Sequence, residues 1–176
     1  KKGKENNRTI YLISDEPYRK IVYDDVQVPS IFTSYKNSII GTSYSKDISI
    51  PGERIGFIAV NPAATYKNDL IGGIAVANRI LGFVNAPALM QRVVACMQGM
   101  SVEINEYARK REMLCDGLAG FGYEFIKPRV TFYLFPRSPI ADDVEFVNAL
   151  KNERELVAAF IGVFWPDHFH IAFSVD

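Results

Sequence analysis

Short apolar runs alternate along this chain with breaks made of proline, glycine and clustered hydroxyls, and the breaks set out the elements. Thr9-Ile10-Tyr11-Leu12-Ile13-Ser14 reads as a buried strand. It ends at Asp15-Glu16-Pro17-Tyr18, because Pro17 has no N–H to continue a ladder. Ile39-Ile40 and Ile55-Gly56-Phe57-Ile58-Ala59-Val60 read as two further buried strands, rich in β-branched and aromatic residues. A hydroxyl-rich loop joins them, and Asn61-Pro62 stops the second. Three helices are then predicted. The first covers 63–78 and is weakened by Gly72-Gly73. The second carries Ala86, Leu89, Met90, Val93, Val94 and Met97 at helical spacing as a core stripe, with Asn85 as N-cap and Pro87 in its first turn. The third covers 102–119, with Ile104, Tyr107, Ala108, Leu114 and Leu118 inward and Arg109, Lys110, Arg111 and Glu112 on a solvated outer face. Beyond it the pattern predicts strands at 123–126, 131–135 and 170–175. A helix running through about Glu153 opens on an Asp142–Glu145 capping box.

Strands interleaved with helices make this an α/β chain. Its 176 residues suffice for one ordinary domain or one and a half small ones. Twenty basic and twenty acidic side chains cancel, so charge gives no argument for a nucleic-acid or membrane partner. The apolar runs are too short to span a bilayer, and no apolar signal core follows the basic start, so a cytoplasmic setting is expected. Cys96 and Cys115 both fall in helical patterns and read as buried thiols of a reducing compartment. Asp24-Asp25 has no His or Cys nearby and reads as a solvated turn, so no metal site is expected.

The chemistry concentrates in Gly41-Thr42-Ser43-Tyr44-Ser45-Lys46 and the Gly52-Glu53-Arg54-Ile55-Gly56 that follows. A lysine at the end of a core strand is costly to bury charged, and burial makes a neutral, nucleophilic amine available for an aldehyde. Hydroxyls with a guanidinium eight residues on suit a phosphate. Amine and phosphate site together are what a pyridoxal phosphate pocket needs. Asp15 falls at the C-terminal edge of a strand, where open α/β sheets bind ligands. A carboxylate there can keep a ring nitrogen protonated.

Ser43-Tyr44-Ser45-Lys46 followed by Gly52-Glu53-Arg54-Ile55-Gly56 resembles the cofactor-lysine signature of the fold-type I, aspartate aminotransferase-like enzymes. Asp15 with Tyr18 three residues on matches a second signature of that family, and Phe83-Val84-Asn85-Ala86-Pro87-Ala88-Leu89-Met90-Gln91 a third place. The resemblance implies that Lys46 bonds covalently to pyridoxal 5′-phosphate and later moves the substrate α-proton. It implies Asp15 for the pyridine nitrogen, Tyr18 for the ring hydroxyl, and Ser43, Ser45 and Arg54 for the phosphate. The implied reaction is amino-group transfer from an amino acid to a 2-oxo acid, in a homodimer. A lyase of the same fold is an alternative, as is a catalytically inactive, degenerate half-protein. Residues 1–101 would be the C-terminal part of a large cofactor domain with a mostly parallel sheet. Residues 102–176 would be a small α/β domain. Only the C-terminal half of the family pattern is matched, with Lys46 near the start, so a fragment with impaired activity is expected.

Three departures stand out. The family's Lys-Pro-x-Gly-Ala-Phe-Tyr becomes Lys127-Pro128-Arg129-Val130-Thr131-Phe132-Tyr133 here, without the glycine. A Pro-Gly loop is replaced by Ala158-Ala159-Phe160-Ile161-Gly162. Aligning Phe169-His170-Ile171-Ala172 on the family's last strand puts His170 where an arginine grips the substrate carboxylate. Histidine cannot reproduce that two-pronged, charge-assisted pair, and His170 is expected to be an ordinary strand residue.

Overall fold

A computed structural model describes residues 8–153 and 167–174. Of these, 8–20 and 27–102 form one compact unit, and 21–26 with the described residues from 103 onward form another. Among the described residues no helix is long and apolar enough to cross a membrane.

The first unit is built on a three-stranded sheet of β1 (Leu12–Asp15), β2 (Ser38–Ser43) and β3 (Gly56–Val60), in that order. β1 and β2 run parallel, with Asp15 opposite Gly41, whereas β2 and β3 are antiparallel, with Ser43 opposite Gly56. The expectation of a mostly parallel sheet is therefore not met among the described strands. The reason lies in the connection: only twelve residues join β2 to β3, and they hold no crossover helix that could return the chain to the same end. Ile39 is buried as expected. Leu12, Ile13, Phe57 and Ile58 are not, and Ile13 is 70% exposed. A short helix α1 (Ile31–Ser34) precedes β2, and a one-turn helix α2 (Tyr44–Asp47) follows it.

Polar groups lock the far end of this sheet. Asn61, buried after β3, donates from Nδ2 to the carbonyls of Phe32 (3.0 Å) and Tyr35 (3.2 Å) and to Ser38 Oγ (3.2 Å), while its Oδ1 accepts from Ala63 N. Asn37 Oδ1 likewise accepts from Thr65 N at 2.9 Å. A buried amide satisfied on both sides specifies one arrangement of the chains around it. Helix α3 (Lys67–Ile80) begins four residues later than the pattern suggested and buries none of its residues. Helix α4 (Ala88–Cys96) takes Pro87, not Asn85, as N-cap. Of its apolar stripe only Val94 is buried, and Leu89 is 71% exposed.

The second unit has its core in Ile21, Tyr23, Cys115, Phe132, Leu134, Val147, Phe169 and Phe173. Helix α5 (Ile104–Gly120) supplies Cys115 and Arg111 to the inside. Arg111 corrects the expectation of a solvated basic face: it is 3% exposed, donates to both carboxylate oxygens of Asp24 at 2.7 and 2.8 Å, to Glu112 Oε1 at 2.6 Å and to the Pro128 carbonyl at 3.0 Å, and lies over the Tyr23 ring. Asp24 and Asp25 both take left-handed backbone, which turns the chain and aims the Asp24 carboxylate at that guanidinium. The segment 21–26 is thereby fastened to α5, and also to the loop before β4 (Tyr23 N to Arg129 O, 3.0 Å; Thr131 N to Ile21 O, 2.9 Å).

The strands predicted here shrink. β4 is only Tyr133–Leu134 and pairs antiparallel with β5, Ile171–Ala172; residues 123–126 form no strand. Left-handed backbone at Thr131 on one side and Pro136 on the other confine β4. Helix α6 (Asp143–Asn152) has its expected cap, Asp142 Oδ1 accepting from Glu145 N at 2.9 Å. Cys115 is buried, which pushes its thiol pKa up; Cys96 is exposed, contrary to expectation. The replacement loop at 158–162 lies outside the described residues.

Candidate functional site

Strand β2 leads straight into the candidate site. Ser43 is its last residue and the N-cap of α2, in which Ser45 and Lys46 sit half-buried. The lysine thus lies on one helical turn at the end of the strand, where a loop was expected. Four residues make no self-sustaining helix, so this turn is held by its surroundings. Tyr44 N donates to Ile55 O at 3.1 Å, which closes the excursion back onto β3. Within it Pro51–Glu53 form a 3-10 turn, and Ser49 and Arg54 adopt left-handed backbone. Non-glycine residues pay for that conformation, and such strain gathers where a side chain must be aimed. Arg54 is exposed and its Nη1 donates back to the Pro51 carbonyl of that turn at 3.0 Å, while its neighbour Ile55 is buried.

Gly56 is the residue that reading the sequence missed. A Cβ at that position would lie 3.0 Å from Ser43 Cα and 3.2 Å from Ser43 Cβ, and closer still to the Thr42 carbonyl oxygen. The two strands touch backbone to backbone beside Ser43, and only glycine admits this. The signal was present as the glycine closing Gly52-Glu53-Arg54-Ile55-Gly56.

Asp15, Ser43 and Arg54 line one cleft of about 960 Å³ within the first unit, together with Gly41, Gly52 and Gly56 and the apolar Phe57, Ile58, Ile71 and Ile74. Parallel pairing puts Asp15 beside Gly41, and two residues further along β2 comes Ser43. A carboxylate, a hydroxyl and a guanidinium on a partly apolar wall fit a flat molecule with a basic nitrogen and a phosphate. Pyridoxal phosphate is such a molecule, so the donor set present suits it. Tyr18, Ser45 and Lys46 are not on the lining of this cleft, although Lys46 follows Ser43 by three residues. Tyr18 is half-buried in the turn after β1. That turn is registered on β2 by Glu16 N to Gly41 O (2.8 Å) and Thr42 Oγ1 to Glu16 O (3.0 Å).

His170 belongs to the second unit, immediately before β5. Its ring stacks on Phe135 at 4.9 Å and meets Tyr133 edge-on at 4.2 Å. Burial lowers its pKa below the ordinary histidine value. A neutral imidazole packed between aromatic rings is a poor stand-in for a guanidinium.

The model of the aminotransferase class I and II family matches residues 4–173 of the chain. An aminotransferase structure from Eubacterium rectale is 39% identical and superposes with a TM-score of 0.93 over 99% of this chain and 44% of its own. A probable aspartate aminotransferase of Methanocaldococcus jannaschii is 29% identical over 84% of this chain and 40% of its own length. An alanine aminotransferase of Mycobacterium tuberculosis is 27% identical over 92% and 41%. The chain spans 33 to 41% of the length of the curated relatives it matches.

Proposed function

Since the chain belongs to the aminotransferase class I and II family, whose members are enzymes that use pyridoxal 5′-phosphate, we propose that it forms the lysine-bearing, C-terminal half of an enzyme that moves an amino group from an amino acid to a 2-oxo acid. The observation that carries the reading is the convergence of Asp15, Ser43 and Arg54 on one cleft, with Lys46 on the turn that leaves Ser43. Bound there, the cofactor supplies an electron sink for breaking a bond at the substrate α-carbon. Lys46 would hold the cofactor covalently and then carry the α-proton as general base. Asp15, as an ionised carboxylate, would pair with the ring nitrogen and favour its protonated form. Tyr18 would donate to the ring hydroxyl. Ser43, Ser45 and Arg54 would hold the phosphate, with Arg54 offering two parallel donors. In this reading residues 1–101 are part of the large domain and residues 102–176 the small one, with 21–26 packed into the core of the latter, and the working form is a cytoplasmic homodimer.

His170 favours a second reading, in which the cofactor site persists and transamination is impaired or lost. A lyase of the same fold would keep the same cofactor residues. The test is direct. The chain is mixed with pyridoxal 5′-phosphate, reduced with borohydride and mapped by peptide mass. The adduct is expected on Lys46 and absent from Lys46→Ala; a label scattered over surface lysines and unchanged by that substitution refutes the assignment.

A further inference from the structure

Asp47 is a buried acid that the proposed chemistry does not use. It ends the turn that carries Lys46 and is 7% exposed. Its Oδ2 lies 3.0 Å from Lys20 Nζ, and its Oδ1 has no hydrogen-bond partner among the described residues. Its carbonyl accepts from Val102 N at 2.7 Å, and Lys20 Nζ also donates to the Met100 carbonyl at 3.3 Å. Asp47 and Lys20 share a small cavity of about 150 Å³ with Glu16, Tyr44 and Gln98, and Gln98 Nε2 donates to Tyr44 Oη at 3.3 Å.

Three stretches of chain therefore meet at the Asp47–Lys20 pair, the third through the Asp47 backbone carbonyl and the Met100 carbonyl. One is the turn after β1, which holds Tyr18 and follows Asp15. The second is α2, with Lys46. The third is the segment after α4 that ends at Val102. Burying a carboxylate with one oxygen unmatched is costly, and an uncharged side chain of similar size would fill the space at less expense. A single-turn helix cannot hold itself, so contacts made by Asp47 bear on where Lys46 sits.

Resting on the cofactor reading above, we infer that Asp47 and Lys20 are positioning residues for Lys46: their ion pair clamps the lysine turn to the turn after β1, and Lys20, through the Met100 carbonyl, ties both to the segment that ends at Val102. Reactive amines are sensitive to placement, and an error of about 1 Å can cost on the order of a hundredfold in rate. Removing either partner should slow covalent capture of the cofactor at Lys46 by roughly ten- to a hundredfold, with Lys46 itself intact.

The experiment uses the 176-residue chain and the variants Asp47→Asn, Lys20→Met and Lys20→Arg. Two quantities are read: the rate at which pyridoxal 5′-phosphate becomes borohydride-trapped on Lys46, and amide exchange at residues 44–47 and at Val102. Asp47→Asn and Lys20→Met should slow trapping on Lys46, leave background trapping on other lysines unchanged and speed local exchange. Lys20→Arg, which restores the ion pair, should recover both. Equal trapping and equal exchange in all four proteins overturn the inference, as does a loss that Lys20→Arg fails to recover. If the parent chain is not trapped on Lys46 while exchange still follows the ion pair, the clamp stands and the cofactor reading falls.

Discussion

Replacing Gly56 by alanine should damage the fold and the cleft together, and the size of the effect follows from the contact between β2 and β3. Carbon atoms sit comfortably about 3.5–4.0 Å apart. The new Cβ would stand 3.0 Å from Ser43 Cα, so the strands must part by about 0.5–1 Å. The neighbours on that side are backbone, which cannot rotate away. Forcing an extra carbon into a closed contact costs about 1–3 kcal/mol. Parting the strands also stretches the 3.1 Å bond from Tyr44 N to Ile55 O, for a further loss of about 0.5–1.5 kcal/mol. Together these give roughly 2–4 kcal/mol, which for a chain of this length lowers the melting temperature by roughly 4–16 °C. Thermal denaturation followed by circular dichroism measures it. Gly52→Ala is the control: it lines the same cleft, a Cβ there meets nothing within 4 Å, and its melting temperature should hold or rise slightly. Gly56→Ala melting within about 1 °C of the parent would show that the strands have slack at Ser43 and refute the close-approach argument.

Four further outcomes are expected. In a version carrying the full length of the family fold, His170→Arg should tighten amino-acid binding by roughly 30- to 1,000-fold at neutral pH, because two charge-assisted bonds replace at most one; titration calorimetry finding no tightening removes the carboxylate role from this position. Because burial depresses the His170 pKa, the unfolded chain binds its proton more readily, so stability present near pH 7 should be lost as pH falls through the ordinary histidine range, and His170→Phe should flatten that part of a stability–pH curve. Arg111 holds the Asp24 carboxyl below the ordinary carboxylate range, so that pair stabilises above about pH 4 and fails as pH drops below it; Asp24→Asn should flatten the acid limb, and Arg111→Leu should not restore it. The chain alone should self-associate, because Ile13, Ile80, Leu81, Phe83 and Leu89 are each at least 70% exposed; a sharply monomeric species by light scattering contradicts this.

Part of the candidate site was legible because its residues lie close together in the chain. Ser43, Lys46 and Arg54 sit within twelve residues, and the strand pattern on either side fixed where they belong. Asp15 was legible because Pro17 announced the end of its strand. Burial was not legible. Ile13, Phe57 and Leu89 are apolar in a pattern that reads as core, but a periodic pattern states which side chains share a face and says nothing of what covers it. Arg111 failed the other way. Its neighbours Arg109 and Lys110 are charged, and nothing local shows that Asp24, 87 residues earlier, reaches it with both oxygens. Composition overstates the strands at 123–126 and 131–135, of which only Tyr133–Leu134 forms. Left-handed backbone at Thr131, a β-branched residue, is a tertiary override that propensity cannot foresee.

The placement of residues 21–26 bears on how the second unit can be made. Its polypeptide is not continuous: the chain enters it at Ile21, leaves after Val26 and returns only at Glu103. A ribosome therefore delivers the first piece of this core some 80 residues before the rest. Ile21 and Tyr23, among its most buried side chains, must wait exposed until α5 and Phe132 emerge. A gene cut at 103 would express a unit lacking those two side chains, the backbone partner of Thr131 and the acid that satisfies Arg111. Supplying 21–26 as a separate peptide, or splicing it ahead of 103 through a short flexible linker, would be the way to obtain that unit on its own.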